Sequence, residues 1–159
     1  MSTDKIASAL SEANTREYVT VKISGQLFGL PIEKVQDVFM PDAITEVPLA
    51  LPEVAGVLNL RGRIVTAIDM RKRLSLPPNE NVTAQMAVGL EFNGESYGLI
   101  IDEVGEVLKL DQTNFETNPS NLDPRWTMIS NGVQRLDGQL MVILDVNRLL
   151  ATDDVNQAA

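Results

Sequence analysis

The chain has 159 residues, 44% of them hydrophobic and 22% charged, with a formal net charge of −9. That size and apolar content build one domain, or two small barrels sharing a core, and exclude wholesale disorder. The acidic balance argues against nucleic acid as a partner, because phosphate binding needs a cationic excess. With no cysteine and no histidine, there are no disulfides, no thiolate or imidazole metal site and no Ser-His-Asp or Cys-His nucleophile. No apolar run approaches the ~18–20 residues of a membrane span, and Met1-Ser2-Thr3-Asp4-Lys5 does not open a secretory signal. The expectation is a soluble, cytoplasmic chain without a cofactor.

In chain order, residues 1–15 read as a flexible tail, with Ile6, Ala9, Leu10 and Ala13 at helical spacing. The fold begins at Tyr18, where Tyr18, Thr20 and Lys22 alternate with Val19, Val21 and Ile23, the period of a half-buried strand. Ser24-Gly25-Gln26 turns the chain and Leu27 to Leu30 returns it. Pro31 opens a short turn through Glu33 and Lys34, and Val35 to Phe39 is a further strand. Residues 41–53, with Pro41, Pro48 and Pro52, form a connector. Two apolar strands follow, Val57 to Leu60 and Ile64 to Ile68, joined by Arg61-Gly62-Arg63. Arg71 to Leu74 is one helical turn, stopped by Pro77-Pro78.

The pattern then recurs. Shifting residues 25–38 by 69 positions gives six identities in fourteen, among them Gly29 with Gly98, Val35 with Val104 and Val38 with Val107. Shifting residues 56–74 by 76 gives six in nineteen, including Gly56 with Gly132, Gly62 with Gly138 and Asp69 with Asp145. Composition alone gives about one match in fifteen. The chain is an internal duplication, with copy one at about 16–80, copy two at about 81–152 and a tail at 153–159. Five short strands per copy suit a small antiparallel barrel, and two such barrels stabilise each other through a shared apolar seam.

The two copies differ in charge at the turn of the second hairpin. Arg61 and Arg63 of copy one face Asp137 and Gln139 of copy two. A turn serving structure alone has no need of arginine, which favours a recognition role for Arg61 over a merely solvated one. Elsewhere the acids are scattered, with no phosphate-cradling glycine loop and no alternating calcium-loop pattern. A carboxylate-based hydrolase and a peptide- or ligand-binding barrel module both stay open as alternatives.

The blocks Asn59-Leu60-Arg61-Gly62 with Ile68-Asp69-Met70-Arg71, Phe28-Gly29-Leu30 with Val35-Gln36-Asp37-Val38, and Tyr97-Gly98-Leu99 with Asp102-Glu103-Val104 resemble the CheW coupling-protein family, over about residues 16–150. The resemblance implies a mainly all-β fold of two intertwined SH3-like five-stranded barrels with short helical turns, no catalysis, and a single domain. It implies a scaffold that is monomeric when free, is recruited to membrane-associated receptor arrays without inserting into the membrane, and binds two partners. These are the regulatory domain of the histidine kinase CheA and the cytoplasmic tip of methyl-accepting chemoreceptors. Arg61 sits at the family's receptor-coupling arginine and Asp37 where the family carries an acid, so an Asp37–Arg61 ion pair is expected. Val35, Val38 and Val107 fall near positions that line a groove between the barrels, although alternation equally allows them to be core. Kinase contact is expected through apolar strand ends at Leu136, Leu140, Val142 and Ile143. Met70, Arg71, Lys72 and Arg73 depart from the family's aliphatic-rich continuation and read as a solvated helical turn.

Overall fold

The computed structural model describes residues 14–78, 85–117 and 119–150. The two expected tails lie outside them, apart from Asn14 and Thr15. Turn chemistry fixes the hairpins. Arg61 and Gly62 both take left-handed φ values, 53° and 82°, the type I′ geometry whose twist matches that of the flanking strands. The same device recurs at Ser24-Gly25 and Asn93-Gly94.

Eleven strands result: β1 (Thr15–Ile23), β2 (Gln26–Pro31), β3 (Val35–Phe39), β4 (Val54–Leu60), β5 (Arg63–Asp69), β6 (Met86–Phe92), β7 (Glu95–Ile101), β8 (Glu103–Asp111), β9 (Phe115–Glu116), β10 (Ser130–Leu136) and β11 (Gln139–Leu144). Short helices α1 (Met70–Arg73), α2 (Pro124–Thr127) and α3 (Val146–Leu150) follow β5, precede β10 and follow β11. Strand β1 starts at Thr15, three residues before Tyr18, because β8 extends alongside it and pairs Asp111 with Thr15. Copy one has five strands and copy two has six. The additional β9 has only two residues, and the corresponding feature in copy one is the single bridge between Thr45 and Val57.

The identities between the copies have physical causes. Asp69 caps α1, its carboxylate accepting from the Arg71 and Lys72 amides at 3.0 and 3.3 Å, and Asp145 accepts from the Arg148 amide at 3.1 Å at the start of α3. Gly56 and Gly132 each sit at a bulge where another segment crosses closely. A Cβ at Gly56 would stand 2.2 Å from the Thr45 carbonyl oxygen, and one at Gly132 would stand 2.3 Å from that of Glu116.

The two sheets do not follow the two copies. The first runs β8-β1-β2-β11-β10-β9 and the second β3-β6-β7-β5-β4. The β1–β2 hairpin of copy one thus lies inside a frame of copy-two strands, and the β6–β7 hairpin of copy two lies inside a frame from copy one. Each inserted hairpin is joined to its host by a parallel pairing, Phe28 opposite Val142 in the first sheet and Thr66 opposite Tyr97 in the second. The mainly β, intertwined architecture expected of the chain is the one observed.

Three apolar clusters hold it. Tyr18, Leu27, Met141 and Ile143 fill one barrel, and Leu58, Val65, Ala67 and Ile100 fill the other. The largest cluster, with Val21, Phe28, Met70, Val88, Leu99, Val133 and Val142 among its members, forms the seam between the sheets. Its only tryptophan, Trp126, stands edge-on to Phe28 at 5.4 Å and donates its indole N–H to the Leu74 carbonyl.

Candidate protein-interaction site

The Asn-Leu-Arg-Gly block is a self-capped turn. The Asn59 side-chain oxygen accepts from the Gly62 amide at 2.8 Å. Arginine at the left-handed position of such a turn costs about 1 kcal/mol relative to glycine or asparagine, so turn geometry does not select it. The Arg61 side chain is 77% exposed, and its Nη1 lies 3.8 Å from Asp37 Oδ2. The expected ion pair therefore exists, and at that distance and exposure it contributes at most about 1 kcal/mol.

Asp37 is held more firmly than Arg61. It lies on edge strand β3 opposite Gly89 of β6, and a Cβ at position 89 would fall 2.0 Å from its Oδ1. The missing side chain lets the carboxylate lie across the neighbouring strand, where Oδ1 is buried and has no hydrogen-bond partner. A carboxylate oxygen buried without a donor is expensive. The carboxylate is thus positioned at the cost of folding stability, with one oxygen toward the arginine and the other unsatisfied.

The valines fall where register puts them. Cross-strand partners share a face. Val38 pairs with Val88 and Val107 with Val19, and both partners belong to the seam. Since β3 and β8 are edge strands of different sheets, their valines emerge along the borders of the seam, 40% and 48% exposed. Val35 pairs with Leu90 and is half-buried against the same cluster. Val38 and Val107 are therefore surface residues, and Val35 is mostly packing.

The second group of expected contacts divides. Leu136 is half-buried and Leu140 is 38% exposed, both beside a 320 Å³ depression with Arg135, Gly138 and Gln139 at the β10–β11 turn. Arg135 is paired there with Glu116 at 3.0 Å. Val142 and Ile143 are 2% and 1% exposed, one in the seam and the other inside the barrel. They support the strand that carries Leu140 and offer no surface, a correction to the expected contact set.

A second correction concerns the turn after β5. Met70 is fully buried, and Arg71, with a side chain only 16% exposed, closes a bidentate pair with Asp102 through Nε–Oδ1 at 3.0 Å and Nη2–Oδ2 at 2.5 Å. Asp102 also accepts from the Ser24 amide at 2.7 Å, and Arg71 donates to the Pro77 carbonyl. Burial pushes the Asp102 carboxyl up, but the Arg71 and Ser24 hydrogen bonds outweigh it and hold the group below its ordinary value. The hydrogen bond to Asp102 likewise raises Arg71. Arg71 is a tie between the copies, and only Lys72 of this turn faces solvent freely. Among the described residues no group of three or more acids gathers as a metal would require.

Comparison with known proteins agrees with this architecture. The CheW-like domain model matches residues 17–154. The chain is 26% identical to the chemotaxis protein CheW of Bacillus subtilis, over 93% of this chain and 96% of that one. It is 27% identical to the chemotaxis protein CheW of Thermotoga maritima, over 91% and 92%. The crystal structure of the scaffolding protein TtCheW from Thermoanaerobacter tengcongensis superposes with a TM-score of 0.78 at 27% identity, over 87% of this chain and 94% of that one. With the family model spanning nearly the whole fold, the chain belongs to the CheW-like family.

Proposed function

We propose that this chain is a non-catalytic chemotaxis adaptor that binds the cytoplasmic tip of methyl-accepting chemoreceptors with one surface and the regulatory domain of the kinase CheA with another. The receptor tip is a helical hairpin, and the seam borders offer an amphipathic helix exposed apolar side chains with charge beside one of them. Val38 on one border and Val107 on the other supply the apolar contacts, Val35 backs Val38, and Arg61 with Asp37 supplies the charge. The kinase surface is the β10–β11 end, with Leu140 outward and Leu136, Val142 and Ile143 as its support. No helix among the described residues is long and apolar enough to cross a membrane; in this reading the receptors hold the chain at the array.

The observation that carries the proposal is the Asp37 carboxylate laid over Gly89 beside an exposed arginine, a polar group positioned at the expense of stability. The test is calorimetric titration of the chain with the kinase regulatory domain and a soluble receptor-tip fragment, singly and together. Binding of both with formation of the ternary complex supports the coupling role, because coupling requires simultaneous occupancy. Binding of neither returns the chain to the reading of a peptide- or ligand-binding module.

A further inference from the structure

Met40 follows the last residue of β3, is 67% exposed and belongs to none of the three apolar clusters. Its direction follows from the register of β3 on β6. Val38 lies opposite Val88, a seam residue, and Phe39 lies opposite Ala87. Phe39 packs with Ala87 in the barrel cluster around Leu58. Alternation therefore returns Met40 to the face of Val38. The next position along β6 is Met86, which packs against the seam.

The duplicate strand differs here. Val107 is the counterpart of Val38, and Lys109, 69 positions after Met40, stands in the place of the methionine. Lys109 is exposed and lies opposite Glu17 of β1. A lysine suits that exposure, whereas a methionine at the same place gains the fold little. Nor is Met40 a lone apolar side chain, because Val38 beside it is 40% exposed. Two residues apart on a strand, the pair is spaced by about 6.5 Å. Side chains four apart on a helix are spaced by about 6 Å. The pair thus matches one apolar stripe of an amphipathic helix lying along β3, and an unbranched thioether adapts readily to such a surface.

We propose that Met40, with Val38, bears the apolar face of the receptor-tip helix, and that oxidation of its thioether by a peroxide weakens that grip. The inference rests on the adaptor reading and adds a contact and a modification to its receptor surface. In the step, Met40 Sδ takes one oxygen of hydrogen peroxide as the O–O bond breaks. The sulfur is oxidised to the sulfoxide and the peroxide is reduced to water, leaving a polar group where the helix needs an apolar one. Met70 and Met141 are fully buried, and Met128, 73% exposed, is the other strongly exposed methionine among the described residues.

The test uses the full chain carrying Met128→Leu, treated with hydrogen peroxide and then desalted. It is titrated calorimetrically with a soluble receptor-tip fragment and, separately, with the kinase regulatory domain, before and after treatment. Peptide mass spectrometry reports the sulfoxide at Met40. Oxidation should weaken receptor-tip binding about tenfold, the loss expected when one apolar side chain leaves an interface. Kinase-domain binding and Tm should not change. Adding Met40→Leu should preserve receptor-tip binding and abolish the peroxide effect, while Met40→Lys should weaken binding as oxidation does. The proposal is overturned, with the adaptor reading intact, if the untreated chain binds the tip but Met40→Lys binds it equally well. It is likewise overturned if no sulfoxide forms at Met40, if the sulfoxide leaves affinity unchanged, or if peroxide sensitivity persists with Met40→Leu. If the untreated chain does not bind the tip, the receptor surface and this contact fall together.

Discussion

Gly89→Ala isolates the device that positions Asp37. The added methyl would stand 2.0 Å from Oδ1 and 3.2 Å from the carboxyl carbon. The carboxylate must therefore move by more than 1 Å, out of a position where Oδ1 is fully buried. Overpacking of this kind costs about 1–3 kcal/mol, and the relief of replacing a strand glycine returns about 0.5–1 kcal/mol. The expected net loss is about 0–2.5 kcal/mol. In an Asp37→Ala background the nearest remaining atom is the Asp37 backbone oxygen at 3.6 Å, an ordinary contact. The same substitution should then be neutral or stabilising by up to about 1 kcal/mol. Urea unfolding followed by Trp126 fluorescence gives all four corners of the cycle, since the indole packs on the seam and changes environment on unfolding. Equal effects of Gly89→Ala in both backgrounds would refute the cradle.

Three further outcomes follow from the same geometry. Arg61→Glu should leave circular dichroism unchanged and shift stability by less than about 1 kcal/mol, because the pair is exposed and long, while weakening receptor-tip binding at least about tenfold by calorimetry. Asp102→Asn should cost about 1–3 kcal/mol at pH 7. Because the folded carboxyl lies below its ordinary value, that stabilisation is complete above the unfolded pKa near 4. It fades as pH falls through the folded value, so the urea midpoints of variant and wild type should converge in acid. Leu140→Asp should fold normally and weaken binding of the kinase domain, whereas Val142→Asp should fail to fold because it buries a charge in the seam. Both are separated by circular dichroism before any binding is measured.

Much of this was legible in the sequence because duplication and turn glycines are local signals. The hairpins and the second copy follow from residues that state their geometry, whereas the Asp37–Arg61 pair was expected from the family resemblance alone. The exchange of hairpins between sheets was not legible in local signals, since the pairings of Phe28 with Val142 and Thr66 with Tyr97 join segments 114 and 31 positions apart and depend on packing alone. Val142 and Ile143 misled for a related reason. Strand β11 is covered on both faces, by the barrel interior and by the seam, so alternation cannot mark an outer side. Arg71 looked solvated because its partner Asp102 is 31 residues away on another hairpin. A glycine within a strand signals a close approach, but nothing local says that the atom approaching Gly89 belongs to Asp37.

The exchanged hairpins also decide how a push at the surface travels. Edge strand β3 of copy one is bonded to β6 of copy two, and edge strand β8 of copy two to β1 of copy one. Neither border of the seam can bend away without tearing a ladder anchored in the opposite copy. Deformation of one half alone is therefore opposed by ladders that cross between the copies. A load at either border is thus shared between the two copies from the first ladder inward.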